Sequence, residues 1–366
     1  MFDPDGIGPW AAQLINLPAM GANPGKADIF VQVDWMTPNI PVLNPTQYNQ
    51  RLSNQAIGIV VGAFRNSPYM SKNGVRGINL HVDEGGRSTL NYSTGATWGA
   101  LSRAHELRYR DPLGSIDAHG DYVWNDFDAD KRVSFTRMGR GPIFHYVIAA
   151  HTFDAQGSSG ISRNDDTNIA TFRAGASDFI VSLGDFTYGT GTDLQQAATF
   201  MHELGHNLGL AHGGDEFRNY KPNYLSLMNY SYQFGFIRDG KPLFDYSRSK
   251  LDLNESALVE GDGVEGDGMA GAPGYVARWY CRENRQPARP NAAGVLGGAI
   301  NWNCNRGPLG PLIDKAPFPQ DINGDRQLTA LTGYKDWPDL RLTGGAIGRL
   351  GALPALPMET DPELAG

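Results

Sequence analysis

The chain has 366 residues, enough for one large domain or two modest ones, and 40% of them are apolar, enough for a buried core. A net charge of −8 argues against nucleic acid as the main partner, and no apolar run approaches the length of a membrane span. Glycine is abundant at 46 residues and charged residues make up only 19%, which suits a loop-rich extracellular protein better than a cytosolic helical one.

Residues 1–27 read as an irregular opening segment, with Asp3 and Asp5 in either an ordinary loop or a truncated calcium loop. Met1 to Asp5 is polar and lacks the basic-then-apolar head of a signal peptide, so either a mature form or a trimmed chain with an added methionine is expected, with a cytosolic protein as the alternative. Ile29–Met36 has the apolar pattern of a strand. Asn44-Pro45 is a helix-start signal, and the helix is expected to run to about Phe64. Gly77–Asp83 reads as a second strand, giving a β-α-β order with a parallel pair and a right-handed crossover.

Residues 84–140 carry many glycines and turn signals and read as an inserted excursion. His119-Gly120-Asp121 within it reads as surface loop in preference to a second metal site. Ile143–His151 is a third strand. Its His145 and His151 stand an even number of residues apart and share a face. With no helical spacing and no local third ligand, both are expected as core or rim histidines. Gly157–Ser162 is a short extended piece, and Phe179–Leu183 is a further strand.

The stretch from Thr192 to Tyr230 carries the chemistry. Thr192 and Gln195 have the spacing of a capping box, and Leu194, Ala197, Ala198, Met201 and Leu204 form an apolar stripe. His202 and His206 lie four apart, so on a helix they point at one spot. Gly209 ends the helix by taking a left-handed turn, which brings His212 back to the same point. Three imidazoles fill three of a zinc ion's four positions and leave one open, the mark of a catalytic rather than a structural site. Glu203 stands beside the open position, where it takes a proton from the attacking water and passes it to the leaving amine.

The sequence H-E-x-x-H-x-x-G-x-x-H over residues 202–212, with Met228 in a downstream turn, resembles the metzincin clan of zinc endopeptidases. The resemblance implies an α/β (α+β) fold: a twisted mixed β-sheet with helices above a zinc cleft, and an irregular C-terminal subdomain. It implies that Met228 forms an apolar floor beneath the histidines, and that Tyr230 ligates zinc or stabilises the oxyanion. It further implies that the piece near 157–163 is the antiparallel edge of the sheet, binding substrate backbone as an added strand. Gly213-Gly214-Asp215 after the third histidine does not fit the astacin, serralysin, matrixin or adamalysin pattern. The order of elements is loosely similar to pappalysin-type bacterial enzymes.

Tyr224–Phe236 is rich in aromatics, which suit either a side-chain pocket beside the zinc or the core. Asp215 and Glu216 suggest a preference for basic side chains. Asp252–Gly274 is acidic and glycine-rich, either a loose calcium site or a mobile loop. Cys281 and Cys304 suit a disulfide in an oxidising compartment, with two buried thiols as the alternative. Asp321, Asn323, Asp325 and Gln327 have the alternating spacing of a calcium loop, similar to those of dockerin-type modules. Arg326 stands where that loop wants glycine and Thr332 where it wants glutamate, so Asp336 is the candidate late carboxylate.

The expected organisation is an opening segment (1–27), an N-terminal catalytic subdomain with the zinc helix (28–212), a C-terminal subdomain with the Met turn and calcium loop (213–343), and a tail (344–366). The expected function is a secreted zinc endopeptidase cutting internal peptide bonds of polypeptides, with Zn2+ catalytic and Ca2+ structural. The alternatives are a catalytically idle, calcium-ordered binding or adhesion module, and a zinc hydrolase acting on a non-peptide amide.

Overall fold

The computed structural model describes residues 15–37, 49–136, 139–163, 177–267, 273–281, 290–308 and 310–342. The chain divides into two compact units, residues 1–209 with 341–366, and residues 210–340. The fold is mixed α/β with a mixed sheet, as the sequence leads one to expect.

The first unit is built on β1 (Ala27–Thr37), whose Ile29, Phe30, Val31, Val33 and Met36 are buried. It pairs in parallel with β2 (Ile78–Asp83), and at Trp35–Thr37 with β3 (Glu106–Arg108). Along Phe30–Trp35 it pairs, again in parallel, with β4 (Phe144–Ala150). All seven residues of β4 are buried, as in a central parallel strand, with His145 the one histidine in an otherwise apolar and aromatic run. The short β5 (Gly160–Ser162) pairs antiparallel with β6 (Asp178–Ser182), which lies parallel to β4. The resulting order is β2-β1-β4-β6-β5, with β5 at the edge. Phe30, Phe144, Tyr146, Ile148, Phe153 and Ile180 sit at the heart of one hydrophobic cluster.

The β-α-β order is present, but its helix is shorter than expected. Helix α1 spans Asn54–Arg65, and residues 49–53 are not helical. Asn44 and Pro45 lie outside the described residues. The start is set by Ser53, whose side chain accepts from Ala56 N at 3.0 Å and donates to Asp193. The excursion holds two small hairpins, over residues 89–97 and 115–123, and a helix, α2 (Asn125–Ser134), that the sequence reading did not identify. Only Phe127 and Ser134 of α2 are buried, so it has no apolar stripe to announce it.

The second unit is less irregular than expected. Strand β7 (Lys250–Asn254) pairs antiparallel with β8 (Glu265–Asp267) on one side and β9 (Ala330–Thr332) on the other. Hairpins join residues 236–238 to 241–243 and 276–279 to 292–295. Its core gathers Leu225, Tyr232, Leu251, Trp279, Trp302 and Leu331. Cys281 and Cys304 form a disulfide, with Cα atoms 5.8 Å apart.

Asp336 is the polar centre of this unit. It is fully buried and accepts from Tyr224 OH at 2.7 Å, Ser226 Oγ at 2.6 Å and Ser247 N at 2.7 Å. Ser226 Oγ in turn accepts from Met228 N at 3.2 Å, so the acid supports the turn carrying Met228. Burial pushes the Asp336 pKa up to about 7, against the pull of the donors from Ser226, Tyr224 and Ser247.

Two outcomes follow for stability. An acid with a raised folded-state pKa keeps its proton in the fold where the unfolded chain releases it. Its contribution is therefore full at low pH and is lost as pH rises from the ordinary 3.8 through about 7. Urea unfolding across that window will show the slope in the wild type and a flatter profile in Asp336→Asn; identical slopes would rule the assignment out. Replacing both cysteines by alanine opens a loop of sequence separation 23. In the chain-entropy model that lowers stability by about 3 kcal/mol. Intrinsic tryptophan fluorescence, to which the packed Trp279 and Trp302 contribute, reports the transition, and an unchanged midpoint would contradict the expected loss.

Candidate metal centre

Helix α3 (Asp193–Asn207) begins with a reciprocal capping box. Thr192 Oγ1 accepts from Gln195 N at 3.2 Å, and Gln195 Oε1 accepts from Thr192 N at 2.9 Å. Ala197, Ala198, Met201 and Leu204 are buried, but Leu194 is 42% exposed and leaves the expected stripe. It sits in the first turn, whereas residues 196–207 are buried on every side. Burial all round, not an amphipathic face, characterises this helix.

His202 and His206 stand one turn apart with their Nε2 atoms 3.0 Å from each other and their rings nearly perpendicular. Leu208 caps the helix, and Gly209 follows at φ +87°, the left-handed conformation that ends it. Ala211 and Gly214 then exchange hydrogen bonds of 2.8 and 2.9 Å, making a tight turn with His212 and Gly213 at its tip. One nitrogen from each of His202, His206 and His212 lies within 4.8 Å of the others. Among the described residues this is the one such group of three or more histidine, cysteine or acidic side chains. Nitrogens bound to one zinc ion at about 2.1 Å stand roughly 3.4 Å apart in a tetrahedron, so the donor set fits that metal.

The turn explains the two glycines after His212. A Cβ on Gly213 would lie 2.5 Å from the Arg218 carbonyl oxygen, and one on Gly214 would lie 2.4 Å from the Tyr334 side chain. Beneath the turn is Lys221, fully buried, which donates to the Gly213 carbonyl at 2.8 Å, the Thr332 carbonyl at 2.7 Å and Glu216 Oε1 at 2.8 Å. Burial lowers the Lys221 pKa, and Glu216 opposes the shift. Nothing in the sequence marked Lys221, since a lone lysine in a polar stretch reads as surface. One oxygen of the Glu216 carboxylate is thereby engaged by Lys221, while the side chain stays partly exposed. Asp215 is exposed.

Glu203 is fully buried, and its carboxylate lies against Gly160 of β5. A Cβ there would meet Glu203 Oε1 at 2.6 Å. The Tyr230 ring packs 4.3 Å from the His212 ring. Asn219 Oδ1 accepts from both Tyr230 N at 3.0 Å and Tyr220 N at 2.7 Å, holding Tyr220 at φ 55°. Met228 is fully buried, as are Tyr224 and Tyr232, whose hydroxyls donate to Asp336 and to the Pro222 carbonyl. These two tyrosines therefore belong to the core.

His145, His151 and His119 lie at core, rim and surface, in keeping with the expectation for each. His145 is buried beside Asn207, its Nδ1 3.1 Å from Asn207 Oδ1, and burial pushes its pKa down to about 4. His151 pairs with Asp111 at 3.0 Å, and His119 is exposed in a loop closed by Asp117.

The expected calcium loop gains no support. Asp321 accepts from its own Gly324 and Arg326 amides at 2.6 and 2.8 Å. Asn323 accepts from Asp325 N, and Asp325 accepts from Gln327 N while facing Arg218 Nε at 3.3 Å. Glu255 takes the Ile322 and Thr329 amides from below. Asp336 is not a late ligand of this loop, because its oxygens already serve Tyr224, Ser226 and Ser247. Asp3 and Asp5 lie outside the described residues.

No curated protein matches the chain. A family model described as Peptidase M66 matches residues 148–237, about a quarter of the chain's 366 residues. The matched segment runs from the end of β4 through α3 and the histidine turn to Met228 and Tyr230. It supports a metallopeptidase family, and with it a protease that holds a metal and acts on polypeptides.

Proposed function

We propose that the protein is a secreted zinc endopeptidase of the metzincin type, with His202, His206 and His212 as the zinc ligands. The observation that carries the reading is the convergence of those three nitrogens within 4.8 Å; Glu203, fully buried, follows His202 directly on the same helix. Zinc held there would supply a Lewis acid that polarises the scissile carbonyl and makes hydroxide available near neutral pH.

The chain's own residues supply the rest. Glu203 takes the proton of the attacking water on its carboxylate and delivers it to the leaving amine. Its burial excludes bulk water from that transfer. Tyr230, packed on the His212 ring, donates its hydroxyl to the oxygen that becomes negative in the transition state. Strand β5, at the edge of the sheet, takes the substrate backbone as a further strand, which accommodates many side chains. Secretion rests on the Cys281–Cys304 bridge, a bond favoured in oxidising compartments. Calcium has no part in the reading.

Two substitutions separate chemistry from metal binding. Glu203→Gln is expected to keep one zinc per chain and to lose peptide-bond hydrolysis by roughly 10²- to 10⁴-fold, the range for removing a positioned general base. His206→Ala is expected to lose the metal itself, measured by zinc analysis after dialysis. Wild-type turnover in the Glu203→Gln protein would remove the mechanism. A wild-type protein that binds no zinc would remove the site.

A further inference from the structure

Helix α3 carries a second pair of residues one turn apart, Glu203 and Asn207, next to the histidine pair. Four helical residues span about 6 Å along the axis. On β5, Gly160 and Ser162 point to one face and stand about 6.6 Å apart. The two spacings match, and the two pairs meet. The Glu203 carboxylate lies on Gly160, and Asn207 Nδ2 donates to Ser162 Oγ. Asn207 Nδ2 also donates to the Asp178 carbonyl of β6 at 3.1 Å, and its Oδ1 accepts from His145 Nδ1 of β4 at 3.1 Å. One buried amide thus ties the end of the metal helix to three strands.

We propose that Asn207 is a positioning residue that locks edge strand β5 in register with the metal helix. The proposal rests on the reading of β5 as the strand that takes the substrate. A backbone bound along β5 presents its scissile carbonyl at a height set by the register of that strand. A slip of one residue moves the backbone about 3.3 Å and turns its side chains over. The lock at Ser162 holds the height; the contact at Gly160 holds Glu203 against the same strand.

The side chain is specific. Aspartate lacks the donor for Ser162 and Asp178, glutamine is a methylene too long, and alanine leaves Ser162 and His145 without this partner. The strand has other attachments, since it keeps its ladder to β6, and Arg163 just beyond it holds Asp128 through two bonds of 2.6 and 2.9 Å. Asn207→Ala is therefore expected to fold with β5 attached but free to shift.

The test uses the zinc-loaded full chain and two readouts. Amide exchange within residues 159–163 is expected to speed up by about tenfold or more in Asn207→Ala, with β2 unchanged. Cleavage of an extended peptide, which must lie along β5, is expected to lose at least about tenfold more kcat/KM than cleavage of a short blocked dipeptide. Ser162→Ala removes the same bond from the other side, and the double variant should be no worse than Asn207→Ala alone. Unchanged exchange at 159–163, exchange raised equally throughout, or equal losses on both substrates would overturn the lock. A wild type that cleaves neither peptide would instead overturn the protease reading, and exchange would still judge the lock.

Discussion

The whole arrangement depends on one helical turn. Residues four apart on α3 lie above one another, so the helix presents two adjacent pairs, His202 with His206 and Glu203 with Asn207. The first pair brings two nitrogens to 3.0 Å, and the second meets Gly160 and Ser162 of the edge strand. The histidine pair, Glu203 and the edge strand β5 share a single rigid reference. That rigidity comes from burial: residues 196–207 are enclosed, and the helix start is pinned by the Ser53 contacts to Asp193 and Gln196.

The third histidine is held by different means. It sits at the tip of a turn of only a few residues, a construction that is weak unless its carbonyls are satisfied. Lys221 satisfies the Gly213 carbonyl from within and ties it to the Thr332 carbonyl of β9. A buried ammonium is costly without partners, and here every proton has one, with Glu216 supplying the opposite charge. Asp336 plays the same part for the Met228 turn, using three donors. The second unit is thus organised by buried polar centres as much as by its apolar core.

Much of this was legible in the sequence. The strands at 29–36, 143–151 and 179–183 show as apolar runs because they are buried on both faces. The cap at Thr192 and the turn at Gly209 use residues with strong local preferences. Helix α2 was not legible, because it buries little and its acidic first turn looks like a loop. An unbroken helix from Asn44 to Phe64 was misjudged at residues 49–53, which are not helical, because the reading overlooked the cap at Ser53. Lys221, Asp336 and Asn207 were missed as buried hydrogen-bonding centres for a common reason. Their partners lie up to 112 residues away in sequence, and no local pattern encodes such a meeting. The spacing of Asp321 to Gln327 is ambiguous in the opposite way, because alternating side-chain oxygens that suit calcium also suit the loop's own amides.

X-ray absorption at the zinc edge of the metal-loaded protein addresses the centre most directly. Three imidazole nitrogens at about 2.0–2.1 Å with a light solvent oxygen completing the shell is the predicted result. A fourth protein ligand closing the shell, or fewer than three imidazoles in it, would contradict a catalytic site built on His202, His206 and His212.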